Sequence, residues 1–383
     1  MDRILSKTTL NLRKCFPYTG KMFPAGGTQV HFRAHSAGFF LLPSRCRSGQ
    51  VIPLMTSQQP SRSVTSLPPG QATAERARFL RDFHQYGPLA QYEPPSLRVS
   101  RQYCRHLTRQ HYENFTVVSW FVPRGLRQHF CNVYAWCRWA DDLADEVFSQ
   151  KDSLMLLDWW QRELMSCYRG HPRHPVTVAL QETVTTFQIP PEPFLDLLIA
   201  FRQDQEVRRY ETFEELLNYC RYSANPVGRL VLYLARCHTP ERVALSDLVC
   251  TGLQLANFWQ DVGEDWHRGR MYIPLAECRR VGYTEDMWQR REFNPAFQTL
   301  MKGLVEEAAL FLRRGAQLVA LMPRQWQVPV LLFVRGGLRI LQAIAAIDYN
   351  VWQTRPTLSR WTKLALMMQS WWDVLWQKTG INK

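Results

Sequence analysis

Arg138-Trp139-Ala140-Asp141-Asp142-Leu143-Ala144-Asp145-Glu146 sets four acids in six positions within an otherwise apolar run. Tyr134, Arg138, Asp141 and Asp145 stand four, three and four residues apart, the repeat of a single helix face. Trp136, Trp139, Leu143 and Val147 fill the other faces, with Phe130 and Val133 upstream, so the period predicts a largely buried helix. Charges in such a place need a strong compensating partner. Asp142 and Glu146 form an adjacent line, and Arg138 is placed either to clamp the acids or to meet a phosphate. Taken alone, an exposed acidic helix end with Arg138 in an ordinary ion pair fits equally well.

Far downstream the pattern returns in Asn257-Phe258-Trp259-Gln260-Asp261-Val262-Gly263-Glu264-Asp265. Gln254, Asn257, Asp261 and Asp265 fall three, four and four apart, while Leu253, Leu255, Phe258 and Trp259 supply apolar bulk. His267, Arg268, Arg270 and Tyr272 follow before Pro274. An amphipathic helix with a charged end explains one such face better than it explains two. Mg²⁺ takes a few carboxylate oxygens and completes its octahedron with water and phosphate oxygens. Two opposed carboxylate faces therefore suit Mg²⁺ held against a diphosphate, with cations such as Arg270 on the oxygens that the metal leaves.

Outside these stretches the composition sets limits. The 383 residues are 46% hydrophobic, enough for a large core, and carry a formal net charge of +14. Residues 1–73 hold nine Lys/Arg against one acid, Asp2, which leaves +6 for the remainder. That basic excess sits where the chain is rich in Arg, Ser, Pro and Gly and shows no sustained period, so it argues against a nucleic-acid binder. Residues 1–73 read as a disordered leader of transit-peptide composition or as an upstream start ahead of Met55, with disorder expected through Pro68-Pro69-Gly70 and the globular domain spanning 74–383. The ten cysteines form no Cys-x-x-Cys pair and no zinc-finger spacing, and read as small buried residues in a reducing compartment.

From Ala74 onward helical patterns follow one another with little strand signal, punctuated at Pro94-Pro95, Pro123, Pro172, Pro190-Pro191, Pro240, Pro295, Pro323 and Pro356. The most apolar run, Val328 to Ile347, is interrupted by Arg335 and Arg339 and broken up by Pro329, Gly336 and Gly337, and reads as a core helix rather than a membrane span. Leu364 to Trp376 packs in Met367, Met368, Trp371, Trp372, Leu375 and Trp376. It reads first as a docking helix, with a membrane interface as the alternative.

Taken together, the segments Tyr134–Asp145 and Asn257–Asp265 with Arg270-Met271-Tyr272, and Tyr219-Cys220-Arg221-Tyr222-Ser223-Ala224-Asn225-Pro226-Val227-Gly228 between them, resemble the squalene/phytoene synthase family over about Tyr103 to Lys363. The resemblance implies an all-α isoprenoid synthase fold, one helical bundle around a central cavity. It also implies Mg²⁺ on Asp141, Asp145, Asp261 and Asp265. Within the family, His111–Ser119, Leu126–His129 and Asn257–Asp261 look most like the hydroxysqualene-forming branch of bacterial hopanoid synthesis. That branch converts presqualene diphosphate and water to hydroxysqualene and diphosphate, and works beside a presqualene diphosphate synthase and a flavin-dependent reductase. A cytoplasmic enzyme with peripheral contact at the inner membrane is the corresponding expectation.

The chain departs from the family pattern at two places. Gln260 stands where condensing members commonly carry Arg, which fits one preformed diphosphate rather than two. Asn225-Pro226 replaces the usual Gly and its neighbour, so Asn225 either helps place the quenching water or marks a kink set by Pro226. The expected catalytic residues are Tyr134, Arg138, Asn225, Arg270 and Tyr272, and the expected substrate-binding residues are His111, Asn114, Phe115, Gln254, Asn257 and Phe258. Phe115, Tyr134 and Phe258 are the rings expected to face a carbocation. The rival readings are a complete squalene or phytoene synthase and, from another class, a non-catalytic assembly factor on the same fold. Such factors typically lose acid-motif residues, whereas both motifs are intact here.

Overall fold

The computed structural model describes residues 69–110, 122–146 and 149–376. In chain order the helices are α1 (Pro69–Tyr86), α2 (Leu97–Gln110), a 3-10 turn (Arg124–Leu126), α3 (Arg127–Asp145), α4 (Gln150–Tyr168), α5 (Pro175–Phe187), α6 (Glu192–Gln203), α7 (Phe213–Ser223) and α8 (Asn225–Leu234). They continue as α9 (Pro240–Gln260), α10 (Val262–His267), α11 (Leu275–Arg280), α12 (Glu285–Gln289), α13 (Pro295–Gly315), α14 (Leu318–Leu321), α15 (Arg324–Ala345) and α16 (Arg360–Leu375). Among the described residues the sole β pairing is an isolated parallel bridge between Arg209 and Met271.

Side-chain caps and prolines set the boundaries. Ser149, Thr212, Thr239, Asn294 and Ser359 each accept a hydrogen bond from a backbone N–H in the first turn of the helix that follows. Pro175, Pro240 and Pro295 occupy first-turn positions, where a missing N–H costs nothing. The same rule moves one expected boundary: α1 opens at Pro69, so residues 69–73 are helical rather than disordered, while 1–68 lie outside the described residues. Pro329, Gly336 and Gly337 do not break the apolar run, because α15 is continuous through all three. Pro329 sits near the start of the helix, and the residue whose carbonyl loses its partner, Gln325, is exposed to water. By length and composition α15 could cross a membrane, yet half of its most apolar window is buried inside the protein.

Two walls result. α3 packs on α2, α4, α5 and α6, and α9 packs on α7, α8, α13 and α15. α6 touches α3 and α4 on one side and α7 and α8 on the other, so it joins the walls, whereas α3 and α9 share no extensive interface. The back of α3 is tied down by indoles. Trp139 stacks on Trp160 with ring centroids 5.5 Å apart, and Trp136 on Trp160 at 6.1 Å. His174 stands edge-on to Trp139 at 4.3 Å, and burial holds its imidazole well below the usual range and therefore neutral.

α9 and α13 approach most closely at two glycines. A Cβ on Gly252 would lie 3.0 Å from the Leu312 backbone nitrogen, and one on Gly315 would lie 2.8 Å from that of Val249. Neither neighbour can yield, because each is main chain. Gly252→Val is therefore expected to destabilise the fold by about 1–3 kcal/mol, read as a lower Tm in thermal unfolding. An unchanged Tm would contradict this close approach.

Candidate active site

The first acid motif occupies the C-terminal half of α3. Arg138, Asp141 and Asp142 are all buried. Arg138 Nε donates to Asp142 Oδ2 at 3.1 Å, its Nη2 reaches the other oxygen of Asp142, and its Nη1 lies 3.1 Å from Asp141 Oδ2. Arg138 thus clamps the acids, the first of its two expected placements. Burial pushes the Asp142 carboxyl up to about 6 against the pull of Arg138. Burial also opposes the charge of Arg138, but Asp142 and Asp141 outweigh it and hold the guanidinium charged. Tyr134, one turn back and buried, adds to the field at Arg138. The helix is buried from Tyr134 to Ala144, and Asp145, its last residue, is exposed.

The second motif is not one helix. α9 ends at Gln260, Asp261 adopts φ −104° and ψ 13° between helices, and α10 begins at Val262. The ladder stays in register because Asp261 N–H donates to the Asn257 carbonyl at 3.0 Å and Asp265 N–H to the Asp261 carbonyl at 2.8 Å. Asp261 and Asp265 are both buried. The cation on this motif comes from 94 residues away: Arg355 Nε donates to Asp261 Oδ1 at 2.8 Å and lies 3.1 Å from Glu264. Gln260 explains how Arg355 is held there, since its Nε2 donates to the Pro356 carbonyl at 2.5 Å and pins that segment beside Asp261.

The ends of both motifs meet at one corner. Gln205 Nε2 donates to the Ala144 carbonyl at 3.2 Å, next to Asp145 at the end of α3. Its neighbour Asp204 lies 3.9 Å from Arg270 Nη1, and Arg270 N–H donates to the Asp265 carbonyl at 2.9 Å. Burial opposes the charge of Arg270, but the fields of Asp204, Tyr272, Asp145 and Asp265 outweigh it. A carboxylate from each motif therefore acts on the same guanidinium. A short backbone zip positions it: Met271 N–H donates to the Arg208 carbonyl at 2.8 Å and Leu275 N–H to that of Tyr210 at 3.0 Å.

The same zip turns Tyr272 into a cluster of rings. Phe258 and Tyr272 stack at 4.0 Å and 9°, with Tyr219 at 5.4 Å from Phe258 and Tyr210 at 5.9 Å from Tyr272. Asn225 opens α8 at a break after Ala224, with Pro226 in the first turn. Its Oδ1 accepts from the Thr251 hydroxyl at 3.0 Å, which ties α8 to α9.

The residues present fit Mg²⁺ carried with a diphosphate better than a free-standing metal site. Among the described residues no three His, Cys, Asp or Glu side chains gather into an ion cage. Mg²⁺ with substrate phosphates needs only one or two carboxylates. Gln254 Nε2, Asn257 Nδ2 and Arg270 Nε are buried donors without a hydrogen-bond partner. Each such donor costs about 1–3 kcal/mol, and three of them beside paired acids suit an anion rich in acceptor oxygens.

The sequence profile of squalene/phytoene synthases matches residues 108–362. The chain belongs to the squalene/phytoene synthase family. It is 30% identical over 284 residues to a phytoene synthase from Arthrospira platensis, across 71% of this chain and 92% of that protein. It is also 30% identical to a 15-cis-phytoene synthase from Synechocystis sp., across 82% of this chain and 96% of that protein. The solved squalene synthase HpnC from Alicyclobacillus acidocaldarius is 44% identical, with a TM-score of 0.65 over 66% of this chain and 96% of that one. A dehydrosqualene synthase solved with a ligand shares the fold at 24% identity and TM-score 0.66, over 74% of this chain and 98% of that one. The architecture is the isoprenoid synthase fold of these enzymes, which carry out head-to-head prenyl transfer.

Of the site residues expected from sequence, His111, Asn114 and Phe115 lie outside the described residues. Tyr134, Arg138, Asp141, Asp145, Gln254, Asn257, Phe258, Asp261, Asp265, Arg270 and Tyr272 lie along the two walls and the corner where these meet, and Asn225 lies at the α7–α8 break. Arg355, Asp204, Tyr210 and Thr251 were not foreseen. Each is placed by chain folding rather than by helical period, and Pro356 beside Arg355 read only as a loop marker. Arg138→Leu leaves two buried carboxylates without their cation and is expected to destabilise the protein by about 3–5 kcal/mol. Urea unfolding measures this, and stability equal to the parent would contradict the clamp.

Proposed function

We propose that the protein catalyses the Mg²⁺-dependent conversion of presqualene diphosphate and water to hydroxysqualene and diphosphate. The observation that carries the single-diphosphate reading is Gln260, a neutral side chain spent on the Pro356 carbonyl where condensing relatives commonly bring a cation. The 44% identity to a squalene synthase of the HpnC type supports the same branch. A second reading, head-to-head condensation to squalene or phytoene, draws on the phytoene synthases at 30% identity and on Arg355, which returns a cation to the second motif.

In the proposed reaction Asp141, Asp145, Asp261 and Asp265 hold the metal. When bound, Mg²⁺ supplies Lewis-acid stabilisation of the charge that grows on the departing diphosphate. Arg270, fixed between the motifs, adds a preorganised guanidinium to that charge, and the unpaired Gln254 and Asn257 amides donate to its oxygens. Carbon–oxygen cleavage leaves the electron pair on the diphosphate and the positive charge on carbon. The stacked rings of Phe258, Tyr272, Tyr219 and Tyr210 give that cation apolar, ring-rich surroundings. After the cyclopropyl ring rearranges, water placed by Asn225 captures the allylic cation, and its proton leaves to solvent or to the released diphosphate. A presqualene diphosphate synthase supplies this substrate, and a flavin-dependent reductase consumes the alcohol.

Purified protein given presqualene diphosphate and Mg²⁺ without NADPH is expected to release an alcohol identified by mass spectrometry. Squalene formed only with NADPH would favour the second reading instead. Asp141→Asn and Asp261→Asn are each expected to lower turnover at least about a hundredfold while circular dichroism keeps its helical signal, and normal turnover in either contradicts the metal assignment. Asn225→Gly is expected to raise elimination products, and an unchanged product profile removes Asn225 from water placement.

A further inference from the structure

α16 docks through a mixed face and leaves an apolar one outside. Its inward side carries the half-buried Leu366, Met367 and Val374 together with polar groups. Ser370 is fully buried and accepts from Arg335 Nη1 at 3.1 Å, and Asp373 forms an ion pair with the same Arg335 of α15. Its outward side carries exposed apolar groups. Trp361 is 67% exposed, Met368 59%, Trp372 55% and Trp376 59%, with Leu364, Trp371 and Leu375 beside them. Residues 361, 364, 368, 372 and 375 stand three, four, four and three apart, a single stripe along the helix. Docking therefore accounts for the inward side and leaves the aromatic side exposed.

We propose that α16 is an interfacial anchor that lies flat on an anionic lipid bilayer with this stripe in the headgroup–acyl boundary. Tryptophan prefers that depth, where its ring meets hydrocarbon and its N–H meets water. Charge complementarity favours the same partner. The one acid of α16, Asp373, is turned inward onto Arg335, so the outward stripe holds no negative charge, and residues 74–383 carry a formal +6. A folded protein partner fits less well, because protein interfaces carry about one hydrogen bond per 100–200 Å². From Trp361 to Trp376 the only exposed polar side chain is Gln369. A fluid apolar phase makes no such demand.

Most of this helix lies past Thr362, the last residue matched by the family profile. It is also wired to the site. Arg355 on Asp261 and Pro356 on Gln260 immediately precede Ser359, which caps α16 through Thr362 N–H at 3.1 Å. A bilayer under α16 thus lies one short, hydrogen-bonded linker from the second acid motif. The inference rests on this helix alone and stands whichever prenyl reaction the enzyme performs.

The full chain is mixed with vesicles of phosphatidylglycerol and phosphatidylethanolamine, or of phosphatidylcholine alone, and sedimented. It is expected to pellet with the anionic vesicles, less so as salt is raised, with tryptophan emission shifted to the blue and quenched by lipids brominated in the acyl chain. The Trp361→Ser/Trp372→Ser/Trp376→Ser variant changes only solvent-facing rings, so its circular dichroism should match the parent while its partitioning falls at least about tenfold. The proposal is overturned if the parent stays in the supernatant with both vesicle types, or if the variant pellets as the parent does. It is also overturned if light scattering without lipid finds a parent dimer that the variant abolishes, since a second copy then owns this face.

Discussion

Arg138, Asp141 and Asp142 are withdrawn from water together, and on the other motif Asp265 is buried beside a half-buried Arg270. Each ion brought into such surroundings costs several kcal/mol unless a counter-charge and hydrogen bonds meet it. Much of the architecture answers that demand. Two acid-bearing walls cannot close on each other, so α6, α7 and α8 hold α3 and α9 apart. The backbone hydrogen bonds between 208–211 and 271–276 bring in Arg270, and the segment after α15 brings in Arg355. The cations are therefore structural in the protein as it stands and electrostatic in the reaction proposed for it.

Apolar packing supplies the rigidity that these charges require. Trp136, Trp139 and Trp160 fix the back of α3, and burying an aromatic ring of that size contributes roughly 4–5 kcal/mol. On the other wall Phe258 is both packing and site, because it lies on α9 one residue after Asn257 and stacks on Tyr272. A carbocation needs surroundings that are dry yet rich in ring faces, and a helix that alternates acids with aromatics offers both within one turn.

Much of this was legible in the chain. The spacings of Asp141/Asp145 and Asp261/Asp265 predicted two carboxylate faces, and Pro240 and Pro295, read as breaks between helical patterns, fall at helix starts. What stayed hidden depends on contacts that no period encodes. Arg355 and Asp261 are partners over 94 residues because Gln260 captures a proline carbonyl, which sequence cannot foretell. The break at Asp261 was read as continuous helix, since the i, i+4 spacing runs on through it from Asn257 to Asp265. Pro329 was read as a break, since nothing in sequence shows that its orphaned carbonyl faces water. The docked face of α16 was also hidden: its tryptophans are plain in the sequence, but which face docks depends on Arg335 of another helix.

The central claim is that both acid motifs serve one diphosphate. A crystal structure of the protein grown with Mn²⁺ and inorganic diphosphate tests it most directly. The account predicts anomalous metal peaks at the Asp141/Asp145 and Asp261/Asp265 carboxylates, with a single diphosphate bridging them beside Arg270. Metal at one motif alone, or diphosphate bound away from Arg270, would contradict it.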